Sequence, residues 1–223
     1  MSEKWYEYQP KEFGLSGKYH PVYLPVEKII KGFVKGKKVL DVGCNAGMAS
    51  LLASKHGAEK ATGLDRKDKI LSQAHQVLEK WRELDIISPN EKVDFVKGDI
   101  CRNIDLLDEH DFIFFIRVLY HIRDNPEEGR SASREEAGIK MLEAKLKNRK
   151  DVILFLQANR ARNYLFDPSK GNYGNNLAGI DGLKRLLTGW NLDPLVYNDE
   201  IVIGIHPEHA EYETIKNFLE NIR

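Results

Sequence analysis

Two carboxylates, a turn of small residues and one histidine are the parts of this 223-residue chain whose types and spacing suit chemistry. The run Val39-Leu40-Asp41-Val42-Gly43-Cys44-Asn45-Ala46-Gly47-Met48-Ala49-Ser50 reads as a buried strand, a tight turn and the opening of a helix. Val39, Leu40 and Val42 are apolar and β-favouring, as a central parallel strand requires. Gly43 and Gly47 free the backbone where a ligand must approach closely. A helix over 48–56 aims its unpaired N–H groups at the mouth of that turn. Asp41 lies near the carboxyl end of the strand, the end at which open α/β sheets bind ligands. Lys60-Ala61-Thr62-Gly63-Leu64-Asp65 reads as a second strand closing on an acid, and Asp65 stands about 22 residues beyond Gly43, the span at which a carboxylate takes ribose hydroxyls. Its two oxygens can hold both hydroxyls. The plainer reading of Asp65 is a cap for the helix that follows.

A dinucleotide needs G-x-G-x-x-G at such a turn. Counted from Gly43, that pattern asks for glycine at 45 and 48, where this chain has Asn45 and Met48. The run D-x-G-x-x-x-G from Asp41 instead resembles motif I of the class I S-adenosylmethionine-dependent methyltransferases. There the turn faces the amino-acid part of S-adenosylmethionine, and the acid engages its ammonium. Asn45 stands where the family most often has glycine, and Asn accepts unusual backbone angles better than most residues. The resemblance thus assigns Asp41, Gly43, Asn45 and Gly47 to the cofactor and gives Asp65 its ribose.

The elements that must position these residues follow in order. Pro25 opens a helix near 26–34. The spacing of Ile70, Ala74, Val77, Leu78 and Trp81 predicts a helix over 67–84. Residues 93–97 form a third strand, followed by Gly98-Asp99-Ile100. The resemblance places an adenine acceptor at Asp99 and a ring-contacting backbone N–H at Ile100. A fourth strand, 111–116, is apolar throughout and therefore central. It runs into Arg117-Val118-Leu119-Tyr120-His121, where the family places residues that flank the methyl group. The V-L-Y-H run is similar to methyltransferases of tRNA wobble uridine and of sugar or polyketide hydroxyls. Neutral imidazole at His121 can take an acceptor's proton near pH 7, with Tyr120 orienting; the plainer reading is a helix-face histidine satisfied by backbone. Arg117 suits an anionic substrate or a carboxylate on the cofactor side. A helix over 132–147 and a fifth strand over 151–156 come next. The long Gly/Asn/aromatic loop after that strand offers Asn159, Arg160 and Arg162 for acceptor recognition, against solvated surface arginines. A helix over 179–188, strands over 192–197 and 201–205 forming an antiparallel hairpin, and a helix over 208–221 complete the chain.

Residues 1–24 carry many aromatics and no regular period, so they are expected to pack as a strap or a lid, with Tyr19 and His20 among the substrate-binding candidates. The fold expected for 25–223 is one α/β, Rossmann-like domain: a seven-stranded, mainly parallel sheet with an antiparallel final strand and helices on both faces. Lys+Arg and Asp+Glu are both 34, so the net charge is zero and no global field draws nucleic acid. The cysteines, Cys44 and Cys101, form no metal spacing. No metal and no membrane span are expected, and a cytoplasmic location is the default. The expected activity is methyl transfer from S-adenosylmethionine to a hydroxyl of a small molecule or glycan. A tRNA acceptor, a cofactor-binding regulatory subunit without turnover, and a nicotinamide oxidoreductase are the alternatives; the oligomeric state is not readable.

Overall fold

A computed structural model describes residues 23–125, 127–128, 131–158 and 179–221. The elements are α1 (Tyr23–Phe33), β1 (Lys38–Val42), α2 (Met48–Lys55), β2 (Lys60–Asp65), α3 (Asp68–Glu83), β3 (Val93–Lys97), β4 (Phe112–Ile116), α4 (Ala132–Leu146), β5 (Ile153–Gln157), α5 (Ile180–Gly189), β6 (Asp193–Val196), β7 (Ile201–Ile205) and α6 (Tyr212–Asn221). Short 3-10 turns cover Ile104–Glu109 and Leu119–His121. The seven strands run in the order β3-β2-β1-β4-β5-β7-β6. The expected seven-stranded, mainly parallel sheet with an antiparallel end is therefore present. Contacts divide the chain into two compact units, Met1–Gly98 and Asp99–Arg223.

In the first unit β1 pairs parallel with β2, and β2 with β3. The register sets Asp41 beside Gly63 and Val42 beside Leu64, so β1 and β2 end together. Val39, Leu40, Ala61 and Leu64 are buried, as are Ile70, Ala74, Val77, Leu78 and Trp81 on one stripe of α3. The helical spacing read from the sequence is thus the core face. Burying each large apolar side chain contributes roughly 1.5–3 kcal/mol, which is what fixes the strand ends in place. Helix α1 starts at Tyr23, three residues before the expected 26. Pro25 falls in its first turn, where an amide has no helical partner to lose.

In the second unit β4 pairs parallel with β5, and β7 pairs antiparallel with both β5 and β6. Phe112, Ile113, Phe114 and Phe115 have no exposed surface. Strand β5 begins at Ile153 and runs through Gln157 rather than over 151–156. Arg149 holds Asp151 by two hydrogen bonds outside the strand. The shift puts Gln157, a polar residue, inside the ladder opposite Ile201. Helix α6 starts at Tyr212 instead of 208, because His206 and His209 accept backbone N–H bonds in two preceding turns.

Candidate active site

In the first unit the site is the bend between β1 and α2. Gly43, Asn45 and Gly47 all take positive φ, at 72°, 49° and 79°. The chain reverses by placing every second residue in the left-handed region. Asn45 is the non-glycine residue there, and it adopts the angles that Asn tolerates best. Gly43 and Cys44 both donate N–H bonds to Leu64 O, at 2.7 and 3.1 Å, and Gly47 donates to Cys44 O at 2.8 Å. A side chain at Gly47 would run into the Phe95 ring, and one at Gly63 would meet the same ring and Cys44 Sγ. Phe95 is thus the wall behind the bend, braced edge-on by His75 at 5.3 Å.

Two acids hold the bend from opposite ends. Asp41 Oδ2 accepts from Ser50 N at 3.2 Å and from Ser50 Oγ at 2.9 Å. Gly47 caps α2 without a side-chain bond, so the strand carboxylate satisfies an amide in the first turn from a distance. Asp41 is 3% exposed. Burial pushes its carboxyl up to about 7; the Ser50 hydrogen bonds oppose the shift, and the charge of Asp65 adds to it. Asp65 is half-buried at the end of β2. Its Oδ2 accepts from Asn45 N at 3.2 Å and its Oδ1 from Lys67 N at 3.0 Å. A carboxylate offers about four acceptor positions. Two of them brace the backbone, so the rest suit a diol. Asp65 therefore combines the plainer role, organising the start of α3, with acceptor capacity to spare at a half-buried position. Burial holds the Cys44 thiol far above its ordinary value, so it stays protonated and inert.

In the second unit the candidates follow the ends of β3, β4 and β5. Asp99 accepts from Cys101 N through Oδ1 at 2.9 Å, and its carbonyl takes Arg102 N and Asn103 N. It organises a turn, and Ile100 beside it is buried. Arg117 follows β4 directly with φ at 54°. Its N–H bonds Gln157 O at 3.0 Å, and its Nη2 donates to Glu200 Oε2 at 3.3 Å. Gln157 Nε2 donates to the same Glu200 oxygen at 3.1 Å. His121 is exposed at the end of the 3-10 turn, its backbone N–H on Val118 O. Tyr120 shares the turn, but its side chain lies outside the described residues, as do Tyr19, His20, Asn159, Arg160 and Arg162.

Ser50, Phe95, Gln157 and Glu200 were not singled out from the sequence. Ser50 carried a signal, since a hydroxyl in the first turn of a helix after a capless glycine invites an outside acceptor. Gln157 carried one too, as a polar residue closing an otherwise apolar strand. Phe95 and Glu200 become visible only through pairing. Among the described residues no group of three or more His, Cys, Asp or Glu could hold a metal ion, and no helix is long and apolar enough to cross a membrane.

Comparison with known proteins bears on the fold and on the segment from β1 into α4. A family model described as "Methyltransferase domain" matches residues 39–134, from β1 into α4. The Ribosomal protein L11 methyltransferase of Phocaeicola vulgatus is 29% identical over 92 residues, covering 37% of this chain and 33% of that relative. The match thus spans about a third of the curated relative's length. Two solved structures share the fold. The PH0226 protein of Pyrococcus horikoshii OT3 superposes with a TM-score of 0.57 at 14% identity, over 89% of this chain and 99% of that one. Magnesium protoporphyrin IX methyltransferase of Synechocystis PCC 6803, solved with bound SAM, gives 0.52 at 16% identity, over 88% of each chain. Residues 39–134 thus match a methyltransferase-domain model, and the fold of the chain is similar to that of the two solved structures.

Proposed function

We propose that this chain transfers a methyl group from S-adenosylmethionine to a hydroxyl of a small molecule or glycan. The observation that carries the cofactor half is the bend at 43–47, strung between two carboxylates that each keep acceptor capacity beyond their backbone bonds. When bound, S-adenosylmethionine supplies a methyl already activated by its sulfonium, so the protein's task is alignment and exclusion of water. Asp65 would hold the ribose hydroxyls with the acceptor capacity left beside its two backbone bonds. Asp41 would supply the negative charge facing the ammonium while its Oδ2 holds Ser50. The adenine roles of Asp99 and Ile100 rest on the family resemblance.

A hydroxyl is a weak nucleophile and must lose its proton as it attacks. His121, exposed after β4, takes that proton on a ring nitrogen as neutral imidazole. The named relatives act on a ribosomal protein and on a porphyrin, so the acceptor is argued from this chain's own charge. Equal counts of 34 basic and 34 acidic residues give no long-range pull on a polyanion.

The test is release of S-adenosylhomocysteine across a panel of sugars, phenols and tRNA, with cofactor affinity measured in parallel. Release with neutral hydroxyl acceptors supports the reading. Release only with tRNA, through binding that falls steeply with salt, moves the acceptor to RNA. Tight cofactor binding with no release across the panel identifies a regulatory subunit instead.

A further inference from the structure

The second unit contains a small polar cluster that the methyl-transfer chemistry does not use. Gln157 is 4% exposed at the carboxyl end of β5, and Glu200 is 7% exposed at the entry to β7. Arg117 sits at the carboxyl end of β4 with a side chain 22% exposed. Glu200 Oε2 collects two donors, Arg117 Nη2 and Gln157 Nε2. Nε and Nη2 lie on one edge of a guanidinium, the edge that grips a carboxylate with two parallel bonds. Here only Nη2 is engaged. Among the described residues Arg117 Nε and Gln157 Oε1 are both buried and bonded to nothing. Native proteins satisfy nearly all such atoms, so a pair of them in one cluster calls for a cause.

Backbone geometry adds a second observation. Arg117 has φ at 54°, a region that disfavours a long side chain. Its N–H bond to Gln157 O holds it there. Strain of this kind persists where the surrounding structure enforces it, and it concentrates where ligands are gripped.

We propose that Arg117, Gln157 and Glu200 form a subsite for a neutral group carrying both a hydrogen-bond acceptor and a donor, a hydroxyl or a carboxamide. The Arg117 Nε–H donates to that group and the Gln157 Oε1 accepts from it. The subsite disfavours anions, because the Glu200 carboxylate lies beside the Arg117 guanidinium and repels a carboxylate or phosphate brought to its edge. The exposed edge of Arg117 is the way in, and a shift of that side chain opens both atoms to the ligand. The expectation from sequence gave Arg117 an anionic substrate or a carboxylate on the cofactor side; this proposal gives it a neutral group instead. Identifying the ligand as the methyl acceptor rests on the proposed function; the subsite's chemistry does not.

The Arg117 Nε–H gives its own nitrogen–proton NMR signal, so the full chain can be titrated with benzamide, phenol and benzoate. Benzamide and phenol are expected to shift that signal saturably, and benzoate is not. Q157L should abolish the benzamide response while the backbone amide spectrum shows the fold retained. E200Q, which removes that repulsion, should make benzoate responsive. An equal response to benzoate in the unaltered chain, silence toward all three probes, or a full benzamide response in Q157L overturns the proposal. S-adenosylhomocysteine binding is measured on the same samples. Its failure with the fragment response intact strikes the methyl-transfer reading alone, whereas the reverse result strikes only the subsite.

Discussion

The bend after β1 and the strand end after β4 both reverse the chain through left-handed residues, yet they are built on opposite plans. At the bend, Gly43, Asn45 and Gly47 adopt positive φ with residue types suited to it, and the acids on either side have their backbone partners. After β4 the left-handed residue is an arginine, and among the described residues its own buried Nε and the buried Gln157 Oε1 have none. The first region is prepared by sequence and largely satisfied by itself. The second carries strain and unmet hydrogen bonding. On the proposed function, the self-consistent bend is the part that holds the nucleoside, and the strained strand end is the part that answers to a ligand of its own.

If the bend is self-consistent, the sharpest way to break it is at Gly47. Gly47→Val forces a β-branched residue to φ near 79° and drives its Cβ into the Phe95 ring. The left-handed angle costs about 1–2 kcal/mol and the overpacking about 1–3 kcal/mol more. Thermal melting should fall by roughly 5–15 °C, with cofactor binding lost. A variant that melts with the parent would show that the bend tolerates far more than its geometry suggests. On the other side, His121→Ala should lower kcat about 100-fold or more, the usual reach of a general base, with cofactor affinity held. Equal loss of both would move His121 out of the chemistry and into the fold.

Legibility in the sequence divides along the same line. Strands β2, β3 and β7 were readable to the residue, because each is a short β-favouring run bounded by charge or glycine. Helix ends drifted by up to four positions, as at α6, since side chains from preceding turns decide where the first helical bond forms. The place of Asp65 was legible because it closes a strand whose bounds the sequence marks. Ser50 and Glu200 were not, because their partners lie nine and 43–83 positions away and meet them only through the sheet. The second unit's cluster depends on antiparallel pairing of β5 with β7, which sets Gln157 against Ile201, next to Glu200. No local pattern announces that juxtaposition.

Two smaller effects separate the acids of the bend from each other. Asp65→Ala removes the spare acceptor capacity along with the bonds to Asn45 N and Lys67 N. Hydrogen bonds to a charged group contribute about 1.5–3 kcal/mol, so calorimetry should show cofactor affinity reduced about 10- to 100-fold; undiminished affinity removes Asp65 from the ribose. Asp41 acts through its proton. Its carboxyl, raised by burial from 3.8 to about 7, is protonated in the folded chain across a window where the unfolded chain has ionised. That contribution to stability is complete below pH 4, declines as pH rises toward 7, and is absent above it. An ammonium favours the ionised form, so cofactor affinity should move in the other direction, weakening about tenfold between pH 8 and pH 6. Binding near pH 6 should also release a proton, seen as a calorimetric enthalpy that changes with the ionisation enthalpy of the buffer. Asp41→Asn should abolish both the slope and the buffer dependence. Persistence of either in that variant would assign the proton to another group and leave Asp41 only its hold on Ser50.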